Sequence, residues 1–215
     1  AQLAPSQQTR LALADLHRSL EHWAESEKIY DAEINAGLPK DDPETARIYF
    51  SRGAVRERLS RWPEAEADLL KALEMSPNDA DVLNYLGYSW VDRGEKVGQA
   101  MELIERAVAL QPESGFIVDS LGWAQYKLGR YEDAVATLEA AVELAPGEAT
   151  INDHLGDAYW QVGRRIEARF QWTRTLSLKP SDTERDSAEA KLKDGLPPLV
   201  AKTVATEAAK KGVTR

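Results

Sequence analysis

Apolar residues return along this chain every three or four positions, in short runs broken by polar turns. Leu121, Ala124 and Leu128 make one stripe, and Val135, Leu138 and Val142 make the next. Spacing of i, i+3, i+4 and i+7 puts such residues on one face of an α-helix. The pattern therefore predicts short amphipathic helices in succession. Between the two stripes lies Gly129, which can turn the chain with a positive φ at little cost. Pro146 closes the segment, because proline cannot continue a helix.

The stripes come in pairs, and the pairs recur. Gly53, Gly87, Gly122 and Gly156 are spaced 34, 35 and 34 residues apart, and Pro77, Pro112, Pro146 and Pro180 follow at 35, 34 and 34. The extra residue sits in "RGEKVGQA", between Gly94 and Ala100, where a turn tolerates it. Small residues recur in the second half of each unit: Ala65 and Ala72, Ala100 and Ala107, Ala134 and Ala141, then Ala168. Gly122 and Ala134 lack bulk where two helices are expected to cross closely. A fixed period of this length decides the fold before local propensity does. No helix pair can bury its stripe alone, so neighbours must stack.

Leu-Gly, Gly, Ala, Ala and Pro at this spacing resemble the tetratricopeptide repeat family. The resemblance covers about residues 7–182. It implies an all-α, right-handed superhelical solenoid of antiparallel helix pairs, with clear units at 46–79, 80–114, 115–148 and 149–182. A degenerate unit at about 7–40 has Ala14 for the glycine, with Ser26 and Glu33 for the alanines. First units often decay in this way, because one flank faces solvent. Residues 183–215 are expected to cap the array. "SDTE", Ser181 to Glu184, is a capping-box signature, opening a helix whose Ala188 and Leu192 cover the last repeat. A tail helix over 197–211 is framed by Pro198 and Gly212, with Leu196, Val200, Val204 and Ala208 four apart.

Composition and charge narrow the function. The formal net charge is −9, divided as −11 over residues 1–182 and +2 over 183–215. An array this acidic repels phosphate backbones, which argues against nucleic acid, and an anionic membrane surface is disfavoured for the same reason. No apolar run reaches the roughly 20 residues of a membrane span. The chain has no Cys, which removes disulfides, thiolate zinc sites and cysteine nucleophiles. It opens on Ala1 rather than Met, so a processed form is expected, with any export signal out of view. His17 and His22, five apart, are expected on different helix faces, and His154 has no histidine near it. No metal site, cofactor or catalytic constellation is expected, and the glycine-containing turns follow no strand that could make a phosphate loop.

The resemblance also implies where a partner would lie. In this family the first helix of each unit lines a concave surface, and unit positions 2, 5, 9 and 12 commonly face it. Carried over, these give Arg47, Phe50, Ala54 and Glu57; Asp81, Asn84, Tyr88 and Val91; Phe116, Asp119, Trp123 and Tyr126; and Thr150, Asp153, Asp157 and Trp160. Phe50, Tyr88, Phe116, Trp123, Tyr126 and Trp160 would form an aromatic ladder, and aromatics with a polar handle are the usual anchors of interfaces. Asp81, Asp119, Asp153 and Asp157 would make the groove acidic, beside Asn84.

The expected partner is a protein segment with apolar and basic side chains. Neither the Lys/Asn carboxylate grip of chaperone-binding members nor the Asn ladder of sugar-transferase members is present. "LNYLGYSWVDRGEKVGQAMELIERAVALQPESGFIVDSLGWAQYKLGRYEDAV", Leu83 to Val135, more closely resembles bacterial envelope repeat proteins, including lipoprotein adaptors of carboxyl-terminal processing proteases. That implies a non-catalytic scaffold at the periplasm or the periplasmic face of the outer membrane. Two alternatives stand beside it: self-association, as a weak homodimer, through the C-terminal helix or end repeats, and the targeting arm of a larger enzyme.

Overall fold

The computed structural model describes residues 6–39 and 42–197. Within them the chain forms helices α1 (Gln7–Ser19), α2 (Trp23–Asn35), α3 (Pro43–Arg58), α4 (Trp62–Met75), α5 (Ala80–Arg93), α6 (Val97–Leu110), α7 (Gly115–Lys127), α8 (Tyr131–Leu144), α9 (Ala149–Gln161), α10 (Arg165–Ser177) and α11 (Asp182–Asp194), and no strand. Each odd-numbered helix up to α9 packs on the even one that follows, and each pair stacks on the next. The inner helices also touch: α5 meets α7, α7 meets α9, and α9 meets α11. The solenoid expected from the period is what the chain builds. Of the tail helix expected over 197–211, the described residues include only Pro197; the remainder lies outside them.

Local chemistry sets the helix ends. Asp42 accepts from the Glu44 amide with Pro43 in the first turn, and Asp79 accepts from the Asp81 and Val82 amides. At α11 the capping box forms: the Glu184 amide donates to Ser181 Oγ at 3.3 Å, and the Ser181 amide donates to Glu184 Oε2 at 2.8 Å. The turn inside each pair places one residue in the left-handed region, two positions before the second helix: Glu21 (φ 59°), Ser60 (60°), Gly129 (77°) and Gly163 (82°). The pair carrying the insertion uses two, Gly94 (70°) and Lys96 (44°). The extra residue is thus absorbed in the turn.

Four glycines make equivalent crossings. A Cβ on Gly53 would lie 3.2 Å from the Ala65 carbonyl oxygen, one on Gly87 3.0 Å from that of Ala100, and one on Gly156 3.2 Å from that of Ala168. One on Gly122 would press to 2.6 Å from Leu138 Cγ. The first pair solves the same problem differently. Ala14 is fully buried, and Ser26 donates its hydroxyl to the Ala14 carbonyl at 2.9 Å, tying the helices together. Tyr30 fills the place of Leu69, Ile104, Leu138 and Trp172, and donates to Asp15 at 2.6 Å.

Charge also joins the first two pairs. Arg52 and Arg56 of α3 both bind Asp68 of α4 and Asp31 of α2, and Arg56 reaches Glu27 of α2 at 2.8 Å. Asp68 and Glu27 are buried, so each depends on these guanidinium partners.

Gly122→Val should cost about 1–3 kcal/mol of unfolding free energy, because the added branch meets Leu138. Gly98→Ala, in helix α6 with open space around it, should instead stabilise by up to about 1 kcal/mol. Urea unfolding followed by circular dichroism checks both signs.

Candidate partner-binding groove

The inner helices carry every groove residue expected from the sequence, and the structure sorts most of the aromatics and acids among them into three settings. Asp81 and Phe116 stand exposed in the first turns of α5 and α7. Phe50 and Tyr88 belong to an aromatic zone between α3 and α5. Asp119, Trp123, Tyr126, Asp153, Asp157 and Trp160 gather where α7, α9 and α11 meet, largely in contact with one another or with the cap. Asn84, half-buried on α5, has its side-chain oxygen buried without a hydrogen-bond partner.

In the α3–α5 zone Phe50 packs edge-on against Tyr85, 5.4 Å between centroids. Tyr85 and Tyr88 line a recess of about 390 Å³ with Glu57, Arg58, Ser89 and Asp92. Tyr85 and Arg58 also wall the adjoining recess of about 300 Å³, with Arg18, Trp23 and Ala54. Tyr88 is half-buried on α5. Burial, then the carboxylates of Asp92, Asp119, Glu57 and Glu184, push its phenol pKa up. Those acids stand on α5, α7, α3 and α11, while the recess itself is walled by α3 and α5. Tyr85 was not expected from the sequence. It neighbours Asn84, and counting fixed positions on an idealised helix passes over it.

The α7–α9–α11 cluster is more closed. Trp123 stacks on Tyr126 (4.7 Å, 5° between planes) and on His154 (4.0 Å, 11°). Its indole nitrogen is buried and unpaired. His154 Nδ1 lies 3.0 Å from both Asp119 carboxylate oxygens. Burial opposes the imidazolium, yet Asp119, aided by Asp153 and Asp157, outweighs it and raises the His154 pKa. Lys191 of α11 reaches in to donate to Asp153 at 2.6 Å and Asp157 at 2.9 Å. Asp157 also accepts from Trp172 Nε1 at 2.9 Å. Burial pushes the Asp157 carboxyl up against the pull of Lys191.

Three of the four aspartates expected to make the groove acidic are therefore already neutralised inside the fold. Asp81 is the exception, and Glu57 and Asp92 join it as inner-face acids. Glu57 meets Arg93 at 3.3 Å, and Asp92 lies 3.6 Å from Lys127 while keeping 60% of its side chain exposed. Trp160 is likewise occupied. Its indole donates to the Leu196 carbonyl at 3.2 Å, Gly195 presses on its ring, and Arg165 lies 3.8 Å over it. Tyr126 is buried, its hydroxyl accepting from Gln161, and burial pushes its pKa up to about 12.

His17 and His22, expected on separate faces, meet across the α1–α2 turn with their Nδ1 atoms 3.4 Å apart. The turn at Leu20–His22 folds the second ring back over the first, which counting along one helix does not foresee. Among the described residues no three His, Cys, Asp or Glu side chains are placed to hold a metal. None of the described helices is long and apolar enough to cross a membrane.

The chain matches the family described as tetratricopeptide repeat over residues 11–80 and 55–115, and a TPR repeat profile over residues 122–163. Together these cover more than half of it. A TPR repeat-containing protein of Pseudomonas aeruginosa is 36% identical over 110 residues, which are 51% of this chain and 18% of that protein. Bacteriophage adsorption protein A of Escherichia coli is 29% identical over 84 residues, 39% of this chain and 8% of that protein. The matched part is thus less than a fifth of either relative. Among solved structures, a TPR protein of Thermus thermophilus superimposes with TM-score 0.71 at 19% identity, covering 87% of this chain and all of that one. YrrB, described as a TPR protein with an unusual peptide-binding site, superimposes with TM-score 0.59 at 21% identity, over 86% of this chain and 92% of its own. At these identities the structural likeness concerns the fold.

The raised His154 pKa has a consequence for stability. Stabilisation from the His154–Asp119 pair should be fully present below the ordinary histidine value of 6.5 and fall away as pH rises through the folded value. The urea midpoint should therefore decline as pH rises above 6.5, and Asp119→Asn should flatten that decline.

Proposed function

Because this chain belongs to the tetratricopeptide repeat family, we propose that it is a protein-interaction scaffold without catalytic chemistry of its own, gripping a partner segment along its inner face. The observation that carries this reading is the Tyr88 recess. A half-buried phenol stands in a recess walled by α3 and α5, beside Tyr85, with the unpaired Asn84 oxygen one turn away on α5. Aromatic hydroxyls in partly desolvated recesses are typical interface anchors.

The charges lining the two recesses give the partner a direction. Glu57 and Asp92 favour a basic side chain at the α5 end, while Arg18 and Arg58 favour an acidic group at the α1 end. Apolar side chains between them would meet Tyr85, Tyr88 and Trp23. Asn84 can bond a peptide backbone, Asp81 and Phe116 extend the open surface, and Trp123 borders it through its stack. The cluster around Asp119, Tyr126, Asp153, Asp157 and Trp160 holds the inner wall in shape.

The finer reading is a bacterial envelope adaptor that brings a protease of the carboxyl-terminal processing type, or an envelope assembly, to its substrates. It rests on the resemblance carried by Leu83 to Val135. The similarity to a bacterial repeat protein of Pseudomonas aeruginosa agrees with it.

Peptide display against the chain should enrich segments with an apolar centre and a Lys or Arg on one side. Tyr88→Ala should weaken the selected peptides by about 5–30-fold, on the order of 1–2 kcal/mol, without unfolding the array. Glu102→Ala, on the outer surface of α6, should leave them unchanged. Equal affinity for the wild-type chain and Tyr88→Ala would place the binding surface elsewhere.

A further inference from the structure

Helix α1 carries an apolar face that no described residue covers. Leu13, Leu16 and Leu20 are 45%, 53% and 55% exposed, and their spacing of three and four puts them on one stripe. The crossing residue of each pair, Ala14, Gly53, Gly87, Gly122 or Gly156, gives the register. On it, Leu16 corresponds to Val55, Ser89, Ala124 and Ala158, all of them buried. Leu13 corresponds to Arg52, Leu86, Leu121 and Leu155.

What those equivalents touch is the preceding pair. Val55 clusters with Leu11, Ala14 and Tyr30, Ala124 with Leu86, Ala100 and Ile104, and Ala158 with Tyr126, Ala134 and Leu138. Arg52, at the Leu13 position, binds Asp31 on α2 of the pair before it. The Leu13 and Leu16 positions are therefore the receiving half of an interface that the chain forms again and again, with Leu20, whose equivalents Arg93 and Leu128 are exposed, at its edge. Outermost repeats of an array need a polar outer face to stay soluble, and three leucines are the opposite of one.

We propose that the Leu13–Leu16–Leu20 face of α1 is a stacking surface for the second helix of a further helix pair of the same repeat type, supplied by residues that precede Ala1 in the parent polypeptide. Continuity with the stacking register argues for a repeat as the occupant. The Pseudomonas aeruginosa relative, of which the matched part is 18%, shows that a repeat protein of this kind can be far longer. A second copy is a poorer occupant. The α11 end presents exposed Asp186, Glu189 and Lys193, so stacking head to tail would set leucines against charges. Two α1 stripes face to face would bury far less than the roughly 800 Å² per partner of a stable interface.

The chain has no cysteine, so Leu16→Cys installs a single thiol at the centre of the stripe. Maleimide labelling of this variant is compared in the 215-residue chain and in the same chain extended by the reading frame ahead of Ala1. Labelling should be at least about tenfold slower in the longer chain, whereas Leu144→Cys on α8 should label equally in both. Three results would overturn the proposal: equal labelling of Leu16→Cys in the two chains, a reading frame with no residues ahead of Ala1, or labelling of the 215-residue chain that slows as its own concentration rises. The last would identify a second copy as the occupant.

Discussion

The structure depends on how closely two helix backbones can approach. Helices of 13 to 16 residues are too short to hold themselves in water. Each must lay its apolar stripe on another, and a pair still leaves a flank uncovered. Removing the side chain at Gly53, Gly87, Gly122 and Gly156 lets each first helix settle against the second, so that Leu69, Ile104, Leu138 and Trp172 reach across the crossing. Once every pair is closed in the same way, the remaining flanks are congruent and stacking follows. The inner surface is a by-product of that repetition: five first helices and α11 end up side by side because their partners sit outside them.

An acidic chain stacked this tightly must do something with its carboxylates. Burying an unpaired charge costs several kcal/mol, and a pair recovers that cost only with good geometry. At the start of the array two guanidiniums of α3 collect acids from α2 and α4, linking successive pairs where the first crossing has Ala14 rather than glycine. At the far end Lys191 descends from α11 onto two aspartates of α9, while His154 meets Asp119 of α7. The capping helix therefore covers apolar surface with Ala188 and Leu192 and neutralises the charge that the last inner helix would otherwise present. Both networks fix which helix lies over which.

Much of this was legible in the sequence. The period placed the helix pairs, the glycines and alanines placed the crossings, Gly129 announced its left-handed turn, and "SDTE" announced the cap. What the sequence could not reveal was the partner of each polar group. A 3.6-residue repeat says which face of a helix a residue occupies, not what stands opposite it on a helix 34 to 38 residues away. Asp153 and Asp157 looked like open groove acids because Lys191, which neutralises them, lies beyond the repeat pattern. Asp119 and His154 are 35 residues apart, one period, and their meeting follows only once α7 and α9 are known to touch. In the first unit the sequence showed the missing glycine but not its substitute, the Ser26 hydroxyl donating to the Ala14 carbonyl at the crossing.

These arrangements also bear on the proposed recognition surface. An inner-wall aspartate that already holds a lysine or histidine offers a visiting cation little, since the visitor must displace a buried partner before gaining the contact. On the proposed reading, that disfavours the α9 end as a source of basic selectivity and points to the stretch from α3 to α7. There Asp92 and Asp81 remain open to solvent, Tyr85 and Tyr88 form apolar walls with polar tips, and Arg58 divides one recess from the next. A partner that binds here is read over three successive helix pairs at once, so its affinity depends on their relative rotation. The crossing glycines, far from any visitor, set that rotation. The same constraint that lets short helices stack thus fixes the spacing of the side chains that a partner would meet.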